Sequence, residues 1–583
     1  GSYGGGILVD NNNFNLQVVK SLLYGNKASY GGAIAGRDSN SEMWLAGSIV
    51  SNNSATVDGG GVYLISNHSQ FVIIDLESFQ NSVKVSSPHP YESGPPTNVN
   101  TTTGKGTPVN IFNQTVVVDG CTDFVVVFNP FLDINSFDII TIINANGRVV
   151  YRSNGNNFPG KTMPSLRLGN VVNGTLTVSF SGPSLLSLFL SNDPKFGFSL
   201  TLYPVMPQGT STFVPSVVSY NYARGGVGGG IMLWSQNPFA LICNSNIDYN
   251  RAKTNGAGVM LKNSNVGCAF QKASLVGNFA GQDGGAIMMS TAHSGVTVQA
   301  TEFIANVVNG NGGAFAMNTD NGDGLLRSEN DIAFVRCNFQ QNVASSGSGG
   351  AGYISNDNDV RLTGSNFTGN SAPLGSGGGF YCDANNKMTV LNVLVDGNFA
   401  KSSGGGVYLS RNTRAIMTKL TMRSNVALTG SGGGIYVFND NQFFCVTCVA
   451  DSNWAYTNGG GFALDSGNKV QVNSSTCWNN TAQYGGAFAS ASTNDVLFTS
   501  AMVTENYASQ LGGALFIQDQ TTMSFSGVSL IANNTAAVAG GGIASLESPL
   551  WDVLANVTVY QANQPTVAPT QFSGGGTANL FDD

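Results

Sequence analysis

Residues 404–435 read GGGVYLSRNTRAIMTKLTMRSNVALTGSGGGI, and this stretch contains the unit that recurs along most of the chain. It opens and closes with three glycines and a hydrophobic residue, Val407 in the first copy and Ile435 in the second. Between them, alternate residues are apolar and β-branched types are common, which is typical of half-buried strands. The stretch therefore predicts short β-strands that repeat at a fixed interval.

Two motifs recur in phase. Copies of the Gly-Gly-Gly/Ala-hydrophobic tetrad are 26 to 28 residues apart outside two insertions. The apolar residues of these tetrads are Ile7, Ile34, Val62, Ile231, Val259, Ile287, Phe315, Tyr353, Phe380, Val407, Ile435, Phe462, Phe488, Leu515 and Ile543. The second motif is apolar-x-x-Asn. Its asparagines are Asn26, Asn53, Asn250, Asn278, Asn306, Asn342, Asn370, Asn398, Asn425, Asn453, Asn480, Asn506 and Asn534.

A fixed period of this length is typical of a solenoid, in which each repeat buries its apolar face only by stacking on its neighbours. The apolar residues do not follow helical spacing, and clusters of Asn, Asp, Ser and Gly separate the predicted strands, as in turns. We therefore predict an all-β fold, a parallel β-helix with coils of about 27–28 residues. Its glycines would let coils approach closely, and its asparagines would form a hydrogen-bonded structural ladder.

The paired motifs resemble those of a known family. Gly284–Ile287, Gly312–Phe315, Phe339–Asn342 and Phe367–Asn370 are similar to the GGA-[ILV] and FxxN repeats of the polymorphic outer-membrane proteins. More broadly, they resemble the right-handed parallel β-helices of the pectin-lyase-like superfamily. The resemblance covers nearly all of residues 1–84 and 220–580. It implies a right-handed β-helix but no single activity, because that superfamily contains enzymes, adhesins and fibre proteins.

The repeat is interrupted between Val62 and Ile231. We assign residues 1–84 to N-terminal coils, 85–105 to a Pro/Thr-rich linker, 106–205 to an inserted β-rich domain and 206–583 to the main body of the β-helix. An insertion of this size is tolerated at a loop of a solenoid.

The insertion resembles a CUB-like β-sandwich in its segments Phe137–Ile142, Leu188–Asp193 and Phe196–Tyr203. This resemblance implies calcium ligands at Asp138 and Asp193. The insertion departs from the family because Cys121 is its only cysteine and because Asn192 separates Ser191 from the second aspartate. The alternative is that both aspartates cap turns.

Composition restricts the possible partners. Charged residues make up 10% of the chain and the net charge is −8, so we expect no nucleic-acid partner. No run of 18 apolar residues predicts a transmembrane segment. The sequence has neither an initiator methionine nor a signal peptide, which indicates a processed or partial chain.

Covalent glycans would keep so uncharged a surface soluble. Ten Asn-x-Ser/Thr sequons are present, at Asn52, Asn67, Asn100, Asn113, Asn173, Asn366, Asn473, Asn479, Asn533 and Asn556. Three of them, Asn52, Asn479 and Asn533, immediately precede an asparagine of the repeat, and strand alternation predicts that they face outward. We therefore expect a glycoprotein at the cell surface or outside the cell.

The eight cysteines favour the same location, because disulfides persist in oxidising compartments. Cys243 and Cys268 lie in adjacent coils and are the pair that we favour. Cys445, Cys448 and Cys477 are further disulfide candidates. Cys445 and Cys448 also have the spacing of half a metal site, but no second CxxC motif accompanies them.

We find no complete catalytic constellation and predict that the chain is not an enzyme. Asn318-Thr-Asp320 matches one polygalacturonase motif, but the acidic pair, the Gly-His-Gly and the Arg-x-Lys that should follow are missing. Asp320 and Asp323 are expected in a turn or a weak calcium loop, and apart from calcium no cofactor is expected. None of the three histidines, His68, His89 and His293, has a motif around it.

The sequence thus favours an extracellular structural glycoprotein, a β-helix that stacks head to tail with other copies of itself into a mastigoneme-like surface fibre. This expectation depends on repeats that reach both ends of the sequence without an evident cap, including Gly574–Thr577. Other surface glycoproteins or glycans are further candidate partners. The alternative is an adhesin or coat protein that presents the CUB-like domain, and the third is a polysaccharide lyase or hydrolase.

Overall fold

The computed structural model describes residues 2–11, 13–38, 40–66, 68–75, 83–86, 109–118, 123–128, 139–154, 165–168, 175–182, 199–205, 215–318, 332–518, 520–527, 529–546, 559–561, 563–565 and 578–581. Within these residues the chain is all β and has no helix. Its main body is a parallel β-solenoid of about 14 turns, each of about 28 residues. The predicted fold class is therefore confirmed.

Three parallel sheets run along the described part of the solenoid. A 16-stranded sheet contains Ile7–Asp10, Ile34–Arg37, Val62–Ser66, Ile231–Ser235, Val259–Leu261, Ile287–Met289, Phe315–Met317, Gly352–Ile354, Phe380–Cys382, Val407–Leu409, Ile435–Val437, Phe462–Leu464, Phe488–Ser490, Leu515–Ile517, Ile543–Leu546 and Ala578–Phe581. A 15-stranded sheet contains Lys27–Tyr30, Ser54–Asp58, Tyr222–Ala223, Arg251–Ala252, Phe279–Ala280, Val307–Val308, Val343–Ala344, Ser371–Ala372, Phe399–Ala400, Val426–Ala427, Trp454–Ala455, Thr481–Tyr484, Tyr507–Leu511, Thr535–Ala536 and Gln564–Pro565.

The third sheet has 27 strands in the described residues, because most turns contribute two strands to it. Its strands are Phe14–Val19, Leu22–Tyr24, Ser41–Ala46, Ile49–Ser51, Ser69–Ile74, Ser216–Ser219, Leu241–Cys243, Ser245–Asp248, Ala269–Gln271, Ser274–Val276, Val296–Gln299, Glu302–Ile304, Ile332–Val335, Asn338–Gln340, Asp359–Thr363, Asn366–Thr368, Lys387–Asp396, Arg414–Arg423, Gln442–Val446, Val449–Asp451, Lys469–Asn473, Thr476–Trp478, Asp495–Thr499, Met502–Thr504, Thr522–Ser526, Leu530–Ala532 and Val559–Gln561.

The tetrad residues pair in register from coil to coil, as Val407 does with Ile435. One tetrad residue was assigned one position too late in the sequence analysis. Phe315 pairs with Gly352, which in turn pairs with Phe380, so Gly352 and not Tyr353 occupies the core position. The ring of Phe315 fills the space beside this glycine, since a Cβ there would lie 2.2 Å from its Cζ.

The core is one continuous column of buried apolar side chains. Successive coils place like residues on top of each other, and the rings of Phe303, Phe339 and Phe367 stack with centroids 4.7 and 4.5 Å apart. Stacked aromatic rings at this separation add to the stabilisation from burial alone. Each coil therefore completes its core only through contact with the next coil.

The insertion contributes two four-stranded antiparallel sheets. One contains Val83–Ser86, Ser199–Val205, Asp123–Phe128 and Ser165–Leu168, and the other contains Val109–Val117, Thr175–Gly182, Ile139–Asn144 and Val149–Asn154. Val83–Ser86 spans the boundary that the sequence analysis set between the N-terminal coils and the linker, and it pairs antiparallel with Ser199–Val205 of the insertion.

One strand of the 16-stranded sheet also runs antiparallel. Ala578–Phe581 follows the last glycine tetrad and pairs antiparallel with Ile543–Leu546. This tetrad therefore does not begin a further parallel strand in that sheet, contrary to the expectation from its sequence.

Candidate functional site

Stacked asparagines form a hydrogen-bonded ladder at the turn that leads into the 15-stranded sheet. Asn398 is fully buried, and its Nδ2 donates to Oδ1 of Asn425 at 3.0 Å and to the carbonyl oxygen of Phe367 at 2.9 Å. Its own Oδ1 accepts from both the backbone N–H and Nδ2 of Asn370, at 2.9 and 3.0 Å. Asparagine suits this position because its short side chain is both donor and acceptor.

The ladder extends beyond the asparagines recognised from the sequence. Asn221 lies between Asn53 and Asn250, and Asn563 accepts from Asn534. Both follow the apolar-x-x-Asn pattern, so the signal was present in the sequence. It was missed because neither residue lies between two regularly spaced tetrads.

A second ladder, of more varied residues, precedes the strands of the 27-stranded sheet. Most of its asparagines accept the backbone N–H of the neighbouring member, as Asn386 does from Asn358 at 2.7 Å and Asn441 does from Thr413 at 2.8 Å. Two histidines occupy positions of this ladder. His68 donates its N–H to Asn237, and Nδ1 of His293 accepts from Asn265 at 3.2 Å. His89 lies outside the described residues.

His293 should make folding stability depend on pH. When Nδ1 accepts from Asn265, the neutral ring carries its proton on Nε2, which lies 3.1 Å from the carbonyl oxygen of Leu261. Burial lowers its pKa from 6.5 to about 4. Between these values the unfolded chain binds a proton that the folded chain does not, so this histidine lowers stability by about 1.4 kcal/mol for each unit by which pH falls.

The measurement is the free energy of unfolding of the wild type and of His293→Asn, compared from pH 7 to pH 4. Asparagine is the ordinary residue of this ladder, so the variant should remain folded. The difference between the two proteins isolates His293 from Asp248, whose pKa burial raises to about 6 with an opposite effect on stability. Parallel curves for the two proteins would show that His293 does not titrate in this way.

The structure contains a disulfide between Cys445 and Cys448, both buried in the core. Cys243 and Cys268, the pair favoured from the sequence, are not bonded to each other. Cys268 belongs to the inner core, whereas Cys243 lies on the other side of its sheet with Leu241 and Ala269. Alternation along the strands thus separates the two thiols, although their coils are adjacent.

Buried thiols are poor nucleophiles in this fold. Burial raises the pKa of Cys268, Cys337, Cys382 and Cys477 to about 12. The thiolate is the reactive form of cysteine, so these residues act as core side chains.

Five of the ten sequon asparagines are exposed: Asn52, Asn113, Asn366, Asn479 and Asn533. Asn473 is partly buried. Asn52, Asn479 and Asn533 have φ values of 54° to 56°. These three therefore occupy equivalent left-handed turn positions, which asparagine tolerates better than most residues. Asn67, Asn100, Asn173 and Asn556 lie outside the described residues.

The calcium candidates Asp138, Asp193, Asp320 and Asp323 also lie outside the described residues. Among the residues that the structure does describe, no group of three or more His, Cys, Asp or Glu side chains could hold a metal ion.

The outer face of the 16-stranded sheet carries an apolar stripe. The residue after each tetrad position points away from the core, and in successive coils this row contains Met232, Met260, Met288, Ala316, Tyr353, Tyr381, Tyr408 and Tyr436. The ring centroids of the four tyrosines are 5.3, 4.6 and 5.1 Å apart. The stripe could have been found from the sequence, since its residues follow the tetrads at the same period.

Two carboxylates fix the orientation of the tyrosine part of the stripe. The hydroxyl of Tyr353 donates to Asp383 at 3.0 Å, and that of Tyr436 donates to Asp465 at 3.2 Å. Burial, together with the charge of Asp383, raises the pKa of Tyr381 to about 12. The phenols therefore stay protonated and act as hydrogen-bond donors. Met232, Met260, Met288 and Ala316 are buried, whereas the four tyrosines are half-buried, so only the tyrosine part of the stripe offers packing and fixed polar groups at the surface.

No protein-family model and no curated protein sequence matches this chain. Within the described residues there is no helix that could cross a membrane. Function must therefore be inferred from the fold and from the surfaces described above.

Proposed function

We propose that the chain is an extracellular structural glycoprotein whose solenoid stacks end to end with other copies into a surface filament. The observation that carries this proposal is that neighbouring coils make the same kinds of contact along the solenoid. Asn26 donates to Asn53 at 2.9 Å, and Asn534 donates to Asn563 at 3.0 Å. A coil of a second copy could make these same contacts, because the ladder, the in-register strands and the stacked core need no special sequence at the junction.

The proposal also includes the type of β-solenoid and the fold of the insertion. The three parallel sheets and the glycine tetrads support a right-handed β-helix similar to the pectin-lyase-like superfamily and the polymorphic outer-membrane proteins. The two antiparallel sheets of the insertion support a CUB-like β-sandwich. In a filament, such a domain would project sideways or brace a neighbouring copy.

Two features support an extracellular location. The disulfide between Cys445 and Cys448 is of a kind that is rare in reducing compartments. Exposed sequons such as Asn366 and Asn479 offer sites for N-linked glycans on a surface with few charges.

The strand Ala578–Phe581 bears directly on how copies would meet. Because it lies on the edge of Ile543–Leu546, it must move or take part in the junction before a parallel strand can continue that sheet. We expect its removal to promote assembly.

Assembly is tested by electron microscopy and light scattering on residues 1–583 at high concentration. The wild type should form filaments, more readily when residues 578–583 are deleted. Ile7→Lys should shorten or abolish them while leaving the β-sheet circular dichroism intact, because Ile7 packs against the core and a lysine would place a charge in the junction. The matched control is Leu8→Lys, since Leu8 is 47% exposed and points outward.

Particles that stay monomeric both with and without residues 578–583 would contradict the filament. That result would favour an adhesin or coat protein. The tyrosine part of the apolar stripe is the observation that supports this alternative. Tyr381 and Tyr408 are only half-buried, so a partner could still cover them.

A further inference from the structure

A row of turn residues on the outside of the solenoid places a sequon beside two exposed tyrosines. Asn52, Tyr220 and Tyr249 each have a φ of 54° and occupy the same position in three successive coils. Their backbones are joined in sequence by the N–H of Asn52, which donates to Ser219 at 3.2 Å, and that of Tyr220, which donates to Asp248 at 3.1 Å. The residues on either side of this row are therefore paired in register.

The two tyrosine rings stack along the axis of the solenoid. Their centroids are 5.2 Å apart and their planes differ by 13°. Tyr249 also lies over Gly277 of the following coil, where a Cβ would be 2.5 Å from its Cε1. One face of Tyr220 is thus covered by Tyr249, and its other face is directed toward the coil of Asn52.

Both rings remain accessible, since Tyr220 is 56% exposed and Tyr249 is 48% exposed. Large aromatic side chains are usually more buried than this, because each apolar ring face gains free energy when it leaves water. An exposed ring face next to an exposed sequon therefore provides a reason to ask whether the attached sugar covers it.

We propose that the first sugar of an N-linked glycan on Asn52 packs on the stacked rings of Tyr220 and Tyr249. This inference rests on the proposed extracellular function. The sequon is Asn52-Asn53-Ser54, and its asparagine side chain is exposed. An N-acetylhexosamine has an apolar face of C–H groups that packs on an aromatic ring, while the tyrosine hydroxyl stays in water.

The spacing of the fold suits this arrangement. Neighbouring strands of a sheet are about 4.8 Å apart, close to the separation of the two stacked rings. A sugar on Asn52 therefore extends the stack Gly277, Tyr249, Tyr220 by one further member. The sugar need not reach across any other coil, because the coils of Asn52 and Tyr220 are hydrogen-bonded neighbours.

Among the residues that the structure describes, neither of the other two sequons of the same row has an aromatic residue beside it in the row. Asn479 lies beside Ser452, to which its Nδ2 donates at 2.8 Å, and on its other side is Glu505. Asn533 follows Glu505 in the next coil. Glycans at these two positions would have no aromatic ring to pack on. Asn479 and Asn533 therefore provide matched controls for Asn52.

The test is hydroxyl-radical footprinting of the chain produced in a host that attaches N-linked glycans, with glycan occupancy measured on the same peptides. Tyr220 should be oxidised several-fold more slowly in the wild type than in Ser54→Ala, which removes the sequon and keeps Asn52. Tyr456, which is 58% exposed, should be oxidised equally in both proteins. Thr535→Ala, which removes the sequon of Asn533, should leave the oxidation of Tyr220 unchanged.

Equal oxidation of Tyr220 in the wild type and in Ser54→Ala, with sugar present on Asn52, would overturn the proposal. A bare Asn52 alongside glycosylated Asn479 and Asn533 would also overturn it and would leave the glycoprotein function standing. Absence of sugar from every sequon would overturn both.

Discussion

Replacing Asn398 with leucine is expected to lower the free energy of unfolding by about 2–6 kcal/mol. The substitution removes the acceptor of two donors on Asn370, whose backbone N–H and Nδ2 both bond to Oδ1 of Asn398. Both donors stay buried, and each buried donor without a partner costs about 1–3 kcal/mol. Oδ1 of Asn425 and the carbonyl oxygen of Phe367 each lose a donor as well.

Chemical denaturation measures this effect, and hydrogen exchange at the amide of Asn370 shows whether it is local. The matched control is Asn412→Gly, because Asn412 is an exposed turn residue with a φ of 53°. Glycine adopts this conformation readily, so the control should change stability little. A denaturation midpoint of Asn398→Leu equal to that of the control would mean that the ladder bonds do not stabilise the fold.

The sequence could predict the solenoid because its period records contacts between residues one coil apart. A stacked position such as Asn398 meets its own equivalents on both sides, so the same requirement recurs in every coil. The asparagine ladder and the all-β fold followed from this regularity. The second ladder escaped notice because asparagine, histidine and threonine all occur in it, and the clusters of Asn, Asp, Ser and Gly between the strands were interpreted as turns.

The remaining differences between the predictions and the structure arose where the repeat period does not specify which side of a sheet a residue faces or how a strand pairs. Tyr353 has the aromatic character expected at a tetrad, but the ring of Phe315 leaves room only for Gly352 in the core. Cys243 and Cys268 are close in the repeat, but they lie on opposite sides of one sheet. The strand Ala578–Phe581, which follows the last tetrad in the sequence, pairs antiparallel, and a glycine motif does not by itself specify the direction of pairing.

Replacing Gly405 with alanine should destabilise the solenoid by at least about 3 kcal/mol. A Cβ at Gly405 would lie 2.5 Å from the carbonyl oxygen of Gly433 and from the carbonyl carbon of Val426, and 2.6 Å from the backbone nitrogen of Val426. These are backbone atoms of the next coil, so a side-chain rotation cannot relieve the contact. The coils must move apart, which stretches the hydrogen bonds that join all three sheets.

The matched control is Gly397→Ala. Gly397 has a φ of 61°, but a Cβ there would meet no atom within 4 Å. Alanine at this position should cost only the about 1–2 kcal/mol of a left-handed backbone conformation. The comparison separates the need for close approach of neighbouring coils from the need for a positive φ. Both variants are measured by their denaturation midpoints and by hydrogen exchange at Gly433. If Gly405→Ala destabilises the chain no more than Gly397→Ala, the coils tolerate a wider separation, and the tetrads are retained for their turn conformation alone.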